Sequence, residues 1–322
     1  MNRLKRVLLL AALLALPAAQ AQTANNGAEE FSVELDSLIA QHQYARAEQI
    51  VRQRLTGGYD PALTYFQIGK AYFDHEAWQR SAEFLEKSLK VRGMNDEAHH
   101  LLGLDWRELH RPDDAEAELL EAAKENPSSK VNAYFAGHQL LLNGKFEAAL
   151  PYLYRALDAK PLQTQALQAL AFAQARLGNY GLAESYYRKA IDSAPASDDT
   201  HYSALVNLSI LLLLGHDTAR LEEGLSCAQR AEALQPDSPD AHFLAGKALV
   251  KLGRLREASP ELARAAKLNP EDSKPHFLLA RIYDQLGQHD RAQQERRNIA
   301  RIQSRPGQAG MATVDPVPVA PK

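Results

Sequence analysis

DEAHHLLGLDWRELHRPDDAEAELLEAAKENPSS (residues 96–129), KVNAYFAGHQLLLNGKFEAALPYLYRALDAKPLQ (130–163) and TQALQALAFAQARLGNYGLAESYYRKAIDSAPAS (164–197) follow one another without a gap. Aligned slot by slot, they keep returning the same kind of residue. The eighth slot holds Gly103, Gly137 and Ala171; the twentieth holds Ala115, Ala149 and Ala183; the twenty-seventh holds Ala122, Ala156 and Ala190; the thirty-second holds Pro127, Pro161 and Pro195. Glycine and alanine at fixed points on two helical patterns let two backbones cross closely, since a larger side chain there would overpack the contact by about 1–3 kcal/mol. The proline ends each second helix by disfavouring helical geometry in the residue before it.

A period of 34 residues filled by two helices and a turn resembles the tetratricopeptide repeat. The resemblance implies an all-α fold, a right-handed superhelical solenoid of helix-turn-helix repeats. The register runs backwards through Ser81 and Ala47 in the twentieth slot, and Gly69 with Tyr72 repeats the pairing of Gly103 with Trp106. The first unit is degenerate, with Leu35 in place of the small residue and Tyr59 in place of proline, as a terminal repeat with one neighbour permits. Forwards, the step from Pro195 to Pro236 exceeds the period, and the excess is expected to bulge at Ala196–His201 and in a loop around Gly215–Glu223. Regular spacing resumes with Gly246, Leu249, Ala258, Ala265 and Pro270. The last unit turns polar, Arg296 standing where Leu119, Leu153 and Leu262 stand, which suits a helix with nothing stacked beyond it.

The expected organisation is a signal peptide (1–21), a flexible lead-in (22–27), about eight repeats (28–304, units near 28, 62, 96, 130, 164, 202, 239 and 273) and a proline-rich disordered tail (305–322). Arg3, Lys5 and Arg6, the apolar run Val7 to Leu16, and Ala19-Gln20-Ala21 make the three parts of a secretory signal, and the run is too short to span a bilayer. Export is therefore expected, to the periplasm or as a secreted protein, with no membrane span after cleavage. Pro112 is expected between the helices of its unit, Pro275 in an opening turn, and Pro151 and Pro260 early in second helices, where little hydrogen bonding is lost.

Composition is that of an ordinary soluble protein, 45% hydrophobic and 24% charged, with a formal charge of −3 that favours neither nucleic acid nor an anionic surface as partner. The single cysteine, Cys227, cannot close an intramolecular disulfide and reads as a small buried apolar side chain. No H-E-x-x-H, Walker lysine loop or C-x-x-C occurs. The eleven histidines are scattered, and the adjacent pair His99-His100 points to different helix faces, so no metal or cofactor is expected. Asn207-Leu208-Ser209 matches a glycosylation sequon but lies inside a helical pattern. Repeats fill nearly the whole chain, so no catalytic residues are assigned and a non-enzymatic protein is expected.

What remains is a surface. In each first helix, slots four, seven, eight and eleven pack within the unit, while slots five, nine and twelve form a second stripe. In the family this chain resembles, that stripe lines a concave groove that grips peptides. The resemblance thus implies a groove from Phe66, Lys70, Phe73, His100, Arg107, Tyr134, His138, Phe172, Phe243, Lys247, Phe277 and Arg281. The family's carboxylate clamp needs Lys and Asn at matching places, which Phe66 with Lys70 and His100 with Leu104 do not supply. Aromatic stripes at helical spacing also serve as core, which leaves packing against the next unit as the competing reading. The expected function is a scaffold or adaptor for protein or peptide partners; the alternatives are a cell-wall polymer binder, or an accessory subunit of an envelope or secretion complex that uses its outer surface.

Overall fold

The computed structural model describes residues 29–304 except 159, 161 and 195–198. The signal-peptide pattern, the lead-in, the C-terminal tail, and the terminators Pro161 and Pro195 lie outside the described residues. Among the described residues there are sixteen helices and no strand. They fall into two compact units divided after Gln139. The first carries α1 (29–40), α2 (Tyr44–Thr56), α3 (Pro61–Asp74), α4 (Trp78–Val91), α5 (Asp96–Glu108), α6 (Pro112–Glu125) and most of α7 (Lys130–Leu142). The second carries α8 (Phe146–Ala156), α9 (Gln163–Arg176), α10 (Tyr180–Ser193), α11 (Asp199–Leu212), α12 (Thr218–Leu234), α13 (Pro239–Lys251), α14 (Leu255–Leu268), α15 (Ser273–Gln285) and α16 (His289–Gln303).

Odd-numbered helices are the first members of pairs, and several start on a side-chain cap. Asp60, Asn95, Ser238 and Asp272 accept from the backbone N–H of Ala62, Ala98, Ala241 and Lys274, and Pro61 and Pro239 open α3 and α13 at a position that needs no donor. The turn inside each pair has its own signature. His42, Glu76, His110, Gly144, Gly178, Gly253 and Gly287 all occupy the fifteenth slot with positive φ. The following N–H then reaches back five residues, as Ala77 to Tyr72, Arg111 to Trp106, Asn179 to Gln174 and Arg254 to Leu249. This is the Schellman stop, which needs a left-handed residue; glycine supplies it freely and His or Glu at some strain.

Packing follows the small-residue register. A Cβ on Gly103 would sit 2.6 Å from Leu119 Cγ, and one on Gly246 2.6 Å from Leu262 Cγ, so in both pairs the second helix lies against bare backbone. Ala115, Ala122, Ala183, Ala190, Ala231, Ala258 and Ala265 are all at most 1% exposed, which places the twentieth and twenty-seventh slots at helix crossings. First helices also touch the first helix of the next pair, α3 on α5 in one unit and α9 on α11 and α11 on α13 in the other. Second helices show no comparable packing on one another among the described residues, so the first-helix layer of each unit is the more closely spaced.

Three expectations are corrected. The loop expected around Gly215–Glu223 is mostly helix, because α12 begins at Thr218, capped by Asp217, and runs 17 residues, so the insertion lengthens a helix. The sixth pair starts earlier than expected, at Asp199, which makes the last residues of the expected 196–201 bulge helical. Pro112 is the first residue of α6 rather than part of the turn before it. At the C-terminal end Arg296 is exposed and reaches Asp284, as a water-facing last helix requires. No helix among the described residues is long and apolar enough to cross a membrane.

Candidate functional site

In the first unit the stripe is partly accessible. Phe66 and Phe73 of α3 are half-buried against the cluster that contains Leu101, Leu102 and Trp106, and Phe73 meets the Trp78 ring edge-on at 5.3 Å. Lys70 reaches Glu97 at 3.3 Å with both side chains well exposed. On α5, His100 sets its ring edge against Phe135 at 4.8 Å, and the Arg107 guanidinium lies 5.9 Å from that ring's centre. Burial, then the positive charge of Arg107, pushes His100 down to about 4. It is therefore neutral at neutral pH, and the cations of this stretch are Lys70 and Arg107.

Tyr134 and His138 do not line an accessible surface. They are 4% and 6% exposed and stack on each other at 5.6 Å, and burial raises the Tyr134 phenol to about 12. Phe172 in the second unit is likewise 6% exposed, its ring meeting Phe146 at 6.0 Å. The cause is local. Every residue of α9 from Ala166 to Ala175 is buried, so this helix is covered on all sides and keeps no free stripe; α11 is buried from Ala204 to Leu212 in the same way. For these three positions packing, not a groove, is the correct reading.

Further along the second unit the stripe opens again. Phe243 is half-buried against the unit's core, and Lys247 and Phe277 are half-buried on α13 and α15. Arg281 is exposed and borders a cleft of about 190 Å³ with Val250, Leu255, Leu278, Ile282 and Gln285. The sequence reading missed Phe135 and Leu278, which both hold slot six, beside the stripe. Their shared slot was the available signal.

The histidines are less scattered than their spacing suggests. His99, His242 and His276 hold slot four of their repeats, and each Nδ1 meets a glutamate nineteen residues on: Glu118 at 2.6 Å, Glu261 at 2.8 Å and Glu295 at 2.5 Å. Where slot four is Tyr65, its partner nineteen residues on is Phe84, ring on ring at 6.2 Å. One crossing is thus filled by an ionic or an aromatic pair. Burial alone would lower the pKa of His99, but the bonds to Glu118 and the Gly93 carbonyl and the charges of Glu118 and Glu125 outweigh it and hold it above the usual value. Cys227 is 4% exposed and burial raises its thiol to about 11, which makes it a packing residue with almost no thiolate at neutral pH.

Comparison with family models matches residues 136–198, 217–258 and 243–297 to the tetratricopeptide repeat. This is a tetratricopeptide-repeat protein. Among solved TPR-like structures, PilW, described as a widely conserved type IV pilus biogenesis factor, is 18% identical with a TM-score of 0.57, over 69% of this chain and 99% of that one. A chain of the APC/C hetero-tetramer Cut9-Hcn1 is 14% identical with a TM-score of 0.54, over 78% of this chain and 48% of that one. At these identities the likeness is one of fold. No curated protein matches the sequence.

Proposed function

We propose that the protein is a non-enzymatic adaptor of an exported compartment, the periplasm first, which grips extended protein or peptide segments along its first helices. The observation that carries the reading is where exposure survives. In each unit the first helices pack side by side, putting them on the inside of any curve, and their partly exposed stripe combines aromatic rings with cations. Phe66, Phe73, Lys70 and Arg107 supply it in one unit; Phe243, Phe277, Lys247 and Arg281 supply it in the other. Half-covered rings give anchors, each adding about 1.5–3 kcal/mol on full burial before ordering costs, and the cations select acidic neighbours in the ligand.

Peptides selected from a display library, read by fluorescence anisotropy, are expected to be rich in acidic and aromatic residues and to bind more weakly as salt rises. Lys70→Glu and Arg281→Glu, both at exposed positions, should each weaken binding of some ligands at least ~10-fold, which corresponds to about 1.4 kcal/mol. Tyr180→Ser and Leu182→Ser, on the exposed start of α10, should change nothing. The opposite pattern would move the contact surface to the second helices and favour an accessory subunit that works through its outer face. Export has its own test. The N-terminal pattern of 1–21 supports it, and the mature protein is expected in the periplasmic or secreted fraction beginning at Gln22. A chain retained inside the cell with its N-terminus intact would reject the exported reading.

A further inference from the structure

His242 differs from its two counterparts. All three histidines present Nδ1 to a glutamate of the following helix; among the described residues only His242 has a second carboxylate at that same nitrogen, Glu232 of α12, at 3.7 Å, whereas the second glutamate at His99, Glu125, lies 3.6 Å from Nε2. The residue ten positions before His99 is Leu89, and ten before His276 it is Ala266, so neither neighbouring register could supply such a group. The other ring nitrogen is fixed as well. His242 Nε2 stands 3.0 Å from the Pro236 carbonyl oxygen, which can only accept, so Nε2 carries a proton and donates. The lone pair of Nδ1 then points at two carboxylates. Three potential ligand atoms, one from each residue, lie within 4.8 Å of one another, close enough to hold a metal ion between them.

We propose that His242 Nδ1, Glu261 and Glu232 form a three-ligand site for a divalent cation of the zinc class. Ligands held at about 2.0–2.2 Å around a tetrahedral ion lie roughly 3.4 Å apart. The Nδ1-to-carboxylate distances of 2.8 and 3.7 Å straddle that spacing, so small glutamate rotations close the shell. A ligating histidine whose free N–H donates to a backbone carbonyl is the usual outer-shell arrangement, and it holds the ring here in the required tautomer. One imidazole with two carboxylates suits zinc better than calcium or magnesium, which take oxygen shells, and no thiolate among the three ligands draws softer ions. The ring is 8% exposed while Glu232 and Glu261 keep 31% and 29%, so water reaches the carboxylates and can fill the remaining position. The cation would tie α12, α13 and α14 together.

The test is calorimetric titration of the tag-free full chain with zinc chloride in millimolar magnesium. One equivalent is expected to bind with a Kd below about 1 μM, raising the melting temperature. Glu232→Gln keeps the shape of a part-exposed side chain and should weaken zinc at least ~10-fold while leaving the metal-free melting temperature within a degree or two. His276→Gln breaks a two-partner clasp and should leave zinc affinity unchanged. X-ray absorption of the wild-type zinc complex needs no variant and should show a nitrogen–oxygen shell with a single imidazole. Binding weaker than about 100 μM, binding indifferent to Glu232→Gln, or a shell of several imidazoles or sulfur would overturn the site and leave His242 and Glu261 as a clasp between two helices.

Discussion

Gly103→Leu is expected to lower the unfolding free energy by about 3 kcal/mol or more and the melting temperature by about 6–12 °C. A first added carbon would already lie 2.6 Å from Leu119 Cγ, 3.0 Å from its Cδ2 and 3.2 Å from its backbone nitrogen. Leu119 has no exposed surface, so its side chain has nowhere to swing, and the backbone nitrogen moves only if α6 moves away from α5. Separating those helices uncovers Ala115 and Ala122, which cross α5 on either side of Leu119. Gly181→Ala is the matched control. It sits in the first turn of α10 with nothing within 4 Å of an added Cβ, and the less flexible unfolded chain should make it neutral to stabilising by up to about 1 kcal/mol. Urea denaturation of both variants, with hydrogen exchange on α5 and α6, separates the effects. Equal stabilities for the two would mean that Gly103 is not at a helix crossing.

The same contact explains what was legible in the sequence. Slots eight, twenty and twenty-seven can be read without coordinates because close helix crossing tolerates almost no other side chain, and burial at or near zero along them is the structural counterpart. The stripe was harder to read. Slots five, nine and twelve look alike in every first helix, but whether they stay open depends on what covers the helix as a whole. At α3 and α15 polar positions interrupt the apolar ones, and the stripe remains partly free. At α9 alanines on every side admit close neighbours all round, so Phe172 is packed although its slot, nine, lies on the same stripe as Phe243's, one helical turn further along. The fifteenth slot was missed because its requirement is a backbone angle, and His42, Glu76 and His110 adopt it without glycine's signature. The histidine–glutamate clasps were missed for another reason: a nineteen-residue spacing joins two helices and has no meaning within either one.

Asp105→Ala is expected to stabilise the protein by about 4 kcal/mol above pH 7 and to have little effect near pH 4. Asp105 lies in α5 with no exposed surface, and neither carboxylate oxygen makes a hydrogen bond of good geometry, the Ser81 hydroxyl on α4 acting on the carboxylate without one. Burial raises its pKa from 3.8 to about 7, with the Ser81 hydroxyl on α4 opposing the shift. Between those values the folded protein holds a proton that the unfolded chain has released. The contribution of this group to stability is therefore complete below pH 3.8 and falls as pH rises, by about 1.4 kcal/mol per unit, until the folded carboxyl ionises near pH 7 and the loss levels off. Other repeats carry Ala71, Ala173 and Ala248 in the same slot, with Ala47, Ala149 and Gly224 where α4 has Ser81, so the substitution restores the small, apolar packing used elsewhere in the chain. Because other groups, His99 among them, titrate over the same range, the quantity to follow is the difference between wild type and variant in urea at pH 4.5, 6 and 8. A constant difference would reject the assignment. The partner residue sharpens the test: since the hydroxyl favours the ionised carboxyl, Ser81→Ala should destabilise the wild type most above pH 7 and should do little once Asp105 is alanine. Additive effects of the two substitutions at pH 8 would show that the hydroxyl does not act on the carboxylate.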